Sequence, residues 1–120
     1  MNWLQPKVVS VEHGKLVFSH AIRPEMTNPF GTLHGGVTAA IIDDAIGATL
    51  ISFGEPFHYV TVNLTIDYFA SARSGDVILA ETNIIKKGKT IVNAEGSIWN
   101  DDRTKLLARG YTNLIKTEIK

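Results

Sequence analysis

The stretch VTAAIIDDAIGATLISF, positions 37–53, decides the fold. No proline interrupts it, and Gly54, Glu55 and Pro56 supply a stop, so it reads as one helix over 37–53. It is apolar nearly all round, as expected of a helix buried on most sides rather than along one dry stripe. Everything around it reads as β. Upstream, 7–13 is a valine-rich strand, His13-Gly14 a turn and 15–22 the hairpin partner. Residues 23–33, with Pro24, Asn28, Pro29 and Gly31, read as loop. Downstream, Val60, Val62, Leu64, Ile66 and Tyr68 alternate with Thr61, Asn63, Thr65 and Asp67, which predicts a half-buried strand over 59–69. Strands over 76–86, 90–99 and 105–115 follow, parted by Lys87-Gly88-Lys89 and by Asn100-Asp101-Asp102-Arg103. Short turns between consecutive strands predict a hairpin and a four-strand antiparallel meander. A helix this dry needs a sheet curled around it, which is the α+β class. A single layer of sheet leaves apolar surface over, and that predicts a partner copy.

The 120 residues suit one domain spanning residues 1–120. Twelve basic and twelve acidic side chains cancel, so the electrostatic footprint of a nucleic-acid binder is missing and no nucleic-acid partner is expected. There is no cysteine, which excludes disulfides, thiolate metal sites and a cysteine nucleophile. His13, His20, His34 and His58 show no metal-ligand spacing, so neither metal nor cofactor is expected. The N-terminal residues lack a basic segment followed by an apolar one, and a span over 37–53 would be short and would carry two central carboxylates. These features predict a cytoplasmic protein that does not enter membranes.

Chemistry concentrates in Asn28-Pro29-Phe30-Gly31-Thr32-Leu33-His34-Gly35-Gly36, which runs straight into the helix, with Asp43 two turns inside it. Gly35 and Gly36 fall where backbone N–H groups are free and the helix dipole favours negative charge. Glycine also lets another group approach the backbone closely, so the pair can serve as an oxyanion hole. The competing reading is a tight loop and nothing more. Aspartate is a poor mid-helix residue, and burying an unpaired carboxylate is costly, so at least one of Asp43 and Asp44 must meet a polar cavity or a partner. Their side chains diverge by about 100°, which predicts different jobs. An ion pair or a cap to a neighbouring loop would also account for them. His34 is expected to tie the loop to backbone. No Gly-x-Ser-x-Gly elbow and no phosphate loop occurs.

At these residues the chain resembles the hotdog-fold acyl-CoA thioesterases, in particular the phenylacetate-pathway type. The likeness rests on Asn28-x-x-Gly31-Thr32-Leu33-His34-Gly35-Gly36 with Asp43 nine residues after His34, on Val60-Thr61-Val62, on the Tyr68 to Ala72 strand end and on Lys87-Gly88-Lys89-Thr90. It implies a helix wrapped by a curved antiparallel sheet, paired as a homodimer or doubled to a homotetramer, that hydrolyses an acyl-CoA thioester. It also implies roles. Asp43 would be general base or nucleophile, and the Gly35 N–H would polarise the carbonyl. Asn28 would place substrate or water, and Thr61 would hold the water. His34 would belong to the same catalytic group, with Asp43 and Thr61 of one chain facing Asn28, His34 and Gly35 of another. Gly36, Asp44, Arg73, Lys87, Gly88 and Lys89 are the candidates for substrate contact, the basic ones for the coenzyme A tail. Two alternatives use the same fold. An enoyl-CoA hydratase would need an Asp-x-x-x-x-His pair that this chain lacks. A non-catalytic acyl-CoA sensor of this fold is expected to carry an added DNA-binding segment, for which 120 residues leave no room, and a purely structural subunit would leave Asp43 without a task.

Overall fold

The structure, a computed structural model, describes residues 2–118. Strands β1 (Lys7–Glu12) and β2 (Lys15–Ala21) form the first hairpin, turning at Gly14 with φ +75°. A short 3-10 turn (Pro24–Met26) leads through a loop to helix α1 (Gly35–Ile51). Four strands follow: β3 (Phe57–Tyr68), β4 (Val77–Lys87), β5 (Ile91–Asn100) and β6 (Leu106–Glu118). All pairings are antiparallel, and the six-stranded sheet runs β1-β2-β4-β5-β6-β3. Helix α1 packs against the inner face of this sheet, which is the hotdog architecture expected from the sequence. No helix among the described residues is long and apolar enough to cross a membrane.

The helix begins two residues before the expected start because His34 caps it. The His34 side chain accepts from the Gly36 N–H, satisfying one of the orphan donors of the first turn. At the far end Ser52 still has αR geometry, and Gly54 at φ +68° takes the chain out of the helix.

The meander holds only for β4, β5 and β6. Strand β3 does not pair with β4; it lies at the opposite edge against β6. The segment between β3 and β4 is no hairpin turn. Phe69 and Ala70 N–H groups donate to Leu107 O, Ala72 O accepts from Leu33 N–H, and the Ala72 side chain is buried. The segment therefore crosses the end of the sheet under the loop that feeds the helix. That passage closes the core there, which a tight β3–β4 turn would leave open.

The alternation read along β3 also changes phase. Thr61 pairs with Leu114, and Asn63 with the next residue, Asn113, so Val62 is an extra residue on β3. Tyr59 and Thr61 point inward before this bulge; Leu64 and Ile66 point inward after it. Val60 and Val62, expected on the buried face, are exposed. Polar side chains take up the freed backbone groups. Thr112 Oγ1 donates to Asn63 O at 2.8 Å, and Asn63 Oδ1 accepts from the Asn113 N–H at 3.3 Å and from Asn113 Nδ2 at 3.0 Å.

The core lies between α1 and the sheet: Ile41, Ile42, Ala45, Ile46 and Leu50 from the helix meet Phe18, Ile78, Ala80, Val92, Ala94, Ile98 and Leu114. Gly96 on β5 and Gly110 on β6 are register partners beneath Ile42. A Cβ on Gly96 would lie 2.9 Å from Ile42 Cγ2, and one on Gly110 3.1 Å from it, so the helix approaches as closely as it does because both strands lack a side chain there. Beside this contact a buried polar chain ties helix to sheet. Thr49 Oγ1 lies 2.6 Å from Thr82 Oγ1 and donates to Ala45 O, while Thr82 Oγ1 accepts from the Leu16 N–H at 3.0 Å.

His20 is fully buried on β2, its Nδ1 3.1 Å from Leu4 O. Burial lowers its pKa below the ordinary 6.5; the Leu4 carbonyl and the charge of Asp44 oppose that shift only in part.

Two outcomes follow from the packing. Gly96→Ala should cost roughly 1–3 kcal/mol in urea unfolding, and Ile42→Ala on that background should cost less than on the wild type. The folded state holds the His20 proton more weakly than the unfolded chain, so this residue contributes stability that is present above pH 6.5 and is lost as pH falls through the lowered folded value. Unfolding midpoints at about pH 7.5 and about pH 5.5 should therefore converge in His20→Gln relative to the wild type.

Candidate active site

The loop before the helix is built around one side chain. Asn28 Oδ1 accepts from the Phe30 N–H at 3.0 Å and the Thr32 N–H at 3.2 Å, and Asn28 Nδ2 donates to Thr32 Oγ1 at 2.8 Å. The Asn28 backbone closes the loop as well, its N–H donating to Thr32 O and its O accepting from the Gly31 N–H. Asparagine suits this because its amide offers donor and acceptor within reach of the backbone just ahead. Gly31, at φ +81°, completes the reversal. Phe30 stands at the tip, 84% exposed.

His34 follows as the helix cap. Its Nδ1 accepts from the Gly36 N–H at 2.9 Å, which leaves the ring proton on Nε2 in the neutral form. A Cβ on Gly36 would come within 3.1 Å of that Nδ1, so the glycine makes room for the cap. The Val37 and Thr38 N–H groups donate to His34 O. The Gly35 N–H has no acceptor among the described residues, so it remains a donor at the positive end of the helix dipole. Tyr68 Oη donates to Gly35 O at 2.7 Å and packs beside Gly35. Asn28, Gly35, Thr38, Tyr68, Ile98 and Leu107 are among the residues lining a cleft of about 290 Å³ at this end of α1. Tyr68 entered the sequence reading as one step of an alternating strand and as the start of a matching strand end, without a role at the glycine motif. Its distance in sequence from the glycine motif hid the contact.

Asp43 sits on a side of α1 that the sheet leaves uncovered, along with Gly36 and Ile51, and is itself exposed. A helix buried on most sides was expected, but this side is open, because the sheet curls around the helix from the other; Asp43 nevertheless meets a polar partner here. Thr61, inward on β3 just before the bulge, donates from Oγ1 to Asp43 Oδ1 at 2.8 Å. Asp44 is half-buried on another flank, where its charge acts on buried His20 of β2. The two aspartates do face different surroundings.

The basic candidates separate. The Arg73 guanidinium lies beside Gly31, and Thr32 and Arg73 form an isolated bridge, so Arg73 adjoins the Asn28 loop. Lys87 lies past the other end of the helix, where its Nζ meets Glu55 Oε2 at 2.6 Å and stands over the Phe53 ring. The Lys87 ammonium holds the Glu55 carboxyl below its ordinary range, and Glu55 in turn holds the Lys87 ammonium above its own. Burial, with the Glu55 hydrogen bond, raises the Tyr59 phenol. Gly88 is used by the turn, its N–H donating to Ile91 O where a Cβ would lie 2.8 Å from that oxygen. Lys89 borders a broad hollow on the outer sheet face with Val62, Ile91 and Ile115. The Asn28–Gly35 cleft and the Lys87 turn therefore lie at opposite ends of one chain. At 1.5 Å per residue, Gly35 and Asp43 are also about 12 Å apart along the helix, too far for one carbonyl to meet both. Among the described residues no three His, Asp or Glu side chains group as metal ligands.

Known proteins resemble this chain in sequence and in fold. Residues 30–107 match the family model of the thioesterase superfamily. Human acyl-coenzyme A thioesterase 13 is 32% identical over 103 residues, covering 86% of this chain and 74% of that protein. The crystal structure of thioesterase superfamily member 2 from Mus musculus superposes with a TM-score of 0.85 at 31% identity, covering 92% of this chain and 81% of that one. A Streptococcus mutans UA159 protein bound to acetyl CoA shares the fold, with a TM-score of 0.88 at 23% identity over 97% of this chain and 91% of that one.

Asn28→Ala should speed hydrogen exchange at the Phe30 and Thr32 amides roughly tenfold, about the worth of one such hydrogen bond, while the middle of α1 keeps its protection. Unchanged exchange at both amides would mean that the backbone bonds alone hold the loop.

Proposed function

The chain belongs to the thioesterase superfamily, and on that premise we propose that it hydrolyses acyl-coenzyme A thioesters to the free acid and coenzyme A. The observation that carries this is the exposed Asp43 carboxylate with Thr61 donating to it. A thioester carbonyl needs a carboxylate that activates water or attacks directly, and donors for the oxygen that gains charge. Asp43 is the base or nucleophile. Thr61 holds one carboxylate oxygen and fixes the other toward the carbonyl or the attacking water. The Gly35 N–H, with the helix dipole behind it, takes the oxyanion. Asn28 acts by setting the loop that aims Gly35, and His34 by capping the same turn. The leaving thiolate collects the proton and departs as coenzyme A.

The 12 Å between Gly35 and Asp43 supports a site shared between two copies, with Asn28, His34 and Gly35 of one facing Asp43 and Thr61 of the other. The uncovered side of α1 and the edge position of β3 support a homodimer, or a homotetramer built from dimers. Arg73 beside the loop and Lys89 on the outer face are the cations available to the phosphates of coenzyme A; Gly36, Asp44, Lys87 and Gly88 serve the structure around them.

Thiol release from acyl-CoA tests the assignment. Asp43→Asn should lower turnover by at least about 100-fold, and Thr61→Val should lower kcat more than it raises KM. Near-normal turnover in Asp43→Asn with loss in Asp44→Asn would move the role to the other carboxylate. Mixing Asp43→Asn with Gly35→Pro chains should restore activity, because a heterodimer then holds one intact shared site; heterodimers without recovery would exclude the shared arrangement.

A further inference from the structure

Two adjacent glycines at the head of α1 leave the direction of the Gly35 N–H poorly fixed by the chain itself. Glycine has the widest backbone freedom of any residue, and the first turn of a helix lacks the bonds its N–H groups would make further along. A donor to a developing oxyanion contributes most when it is held in place before the charge appears. The two peptide units that meet at Gly35 are both held from outside. The first has its carbonyl, His34 O, accepting from the Val37 and Thr38 N–H groups. The second joins Gly35 to Gly36 and is gripped at both ends. Its N–H donates to His34 Nδ1 at 2.9 Å, and its carbonyl, Gly35 O, accepts from Tyr68 Oη at 2.7 Å. Of the four polar groups in these two units, the Gly35 N–H alone is left to point outward.

Tyr68 has a fixed base from which to grip. Its backbone pairs with Ala108 of β6, and the next two N–H groups, of Phe69 and Ala70, both donate to Leu107 O. Leu107 and Ala108 are buried. The Tyr68 ring is 54% exposed, so water could satisfy its hydroxyl at little net cost, and the bond to Gly35 O does more for Gly35 than for Tyr68. A carbonyl oxygen has two lone pairs, so this bond leaves one for the helix. The ring also stands where a side chain at position 35 would reach, a Cβ there lying 3.4 Å from Oη and 3.5 Å from Cζ. We propose that Tyr68 is a positioning residue for the hydrolysis, its hydroxyl holding the Gly35–Gly36 peptide from behind so that the Gly35 N–H stays aimed at the thioester oxygen. This rests on the hydrolytic reading of Asp43 and Gly35.

The test measures thiol release from acetyl-, octanoyl- and palmitoyl-coenzyme A by the full chain as wild type, Tyr68→Phe, Tyr68→Leu, Asn28→Ala and the Tyr68→Phe/Asn28→Ala pair. Tyr68→Phe keeps the ring and loses only the hydroxyl. It should lower kcat roughly tenfold, less than the loss of an oxyanion donor outright because the N–H itself remains, and should leave KM within about twofold. Tyr68→Leu should lower kcat no less. A raised KM with unchanged kcat in either variant would make the ring a substrate contact and overturn the positioning role. Since Asn28 and Tyr68 act on one group, the loss in the double variant should fall short of the product of the single losses, and a full product would count the two as independent and overturn it too. A second measurement needs no substrate. Exchange of the Gly36 amide should quicken roughly fivefold in Tyr68→Phe, about the worth of one hydrogen bond, and an unchanged rate would mean that the peptide is held without Tyr68. Failure of the wild type on every thioester removes the hydrolytic reading, whereas normal kcat in Tyr68→Phe beside an active wild type removes the role of Tyr68 alone.

Discussion

The contact between Ile42 and the paired glycines Gly96 and Gly110 governs the rest of the molecule. Protein interiors tolerate little excess volume, so a helix can lie this close to a sheet only where the strands present bare backbone. The contact sets the height of α1 over β5 and β6 and leaves the helix a single orientation. Asp43 is the next residue in the chain. Its direction away from the sheet and toward β3 follows from Ile42 pointing down, since successive helical side chains diverge by about 100°. Ala45, Ile46 and Thr49 fall on the buried side for the same reason, and Thr49 finds Thr82 there.

The sequence carried the helix, the turns and the glycine motif because each depends on neighbours close in the chain: a cap, a stop, a residue type fitted to one backbone conformation. The dry helix between strands led to the right class of fold, and the motif led to the right family. The order of the sheet was not legible. Whether β3 meets β4 or β6 is decided by which edge the helix delivers the chain to, and residues 70–75 read as a loop in either case. The phase of β3 was hidden too, since one extra residue inverts every later side chain and an unbroken alternation of Val and Thr does not mark it. Asn63, Asn93 and Asn113, which meet around that point, are scattered over three strands. Gly96 and Gly110 carry no local signal in the sequence, and only the helix above them gives them a purpose.

The site was legible in part. Asp43, Thr61, His34, Gly35 and Asn28 came from the motif, but the tasks of two of them are more mechanical than the motif alone conveys. Asn28 spends its amide on the loop's own backbone, and His34 spends Nδ1 on Gly36. In the proposed reaction both act by fixing where the Gly35 N–H points. Tyr68 belongs to this group, reaching Gly35 O from the last residue of β3. One strand thus touches both ends of the same helix stretch, holding Asp43 with Thr61 and Gly35 with Tyr68.

The bulge at Val62 gives that strand an unusual property. Thr61 and Tyr68 are seven residues apart, an odd interval, and in a regular strand they would stand on opposite faces. The extra residue makes the interval even in the ladder, so both reach the helix. A strand with the same seven-residue interval and no bulge would turn one of the two outward and lose half of its hold on α1, whereas loss of the bulged residue itself would leave both on the inner face. The irregularity is therefore a spacer that adjusts the two-residue repeat of a strand to the positions of two groups on a helix. What the two contacts require between Thr61 and Tyr68 is an even number of ladder steps, whatever the number of residues that supplies them.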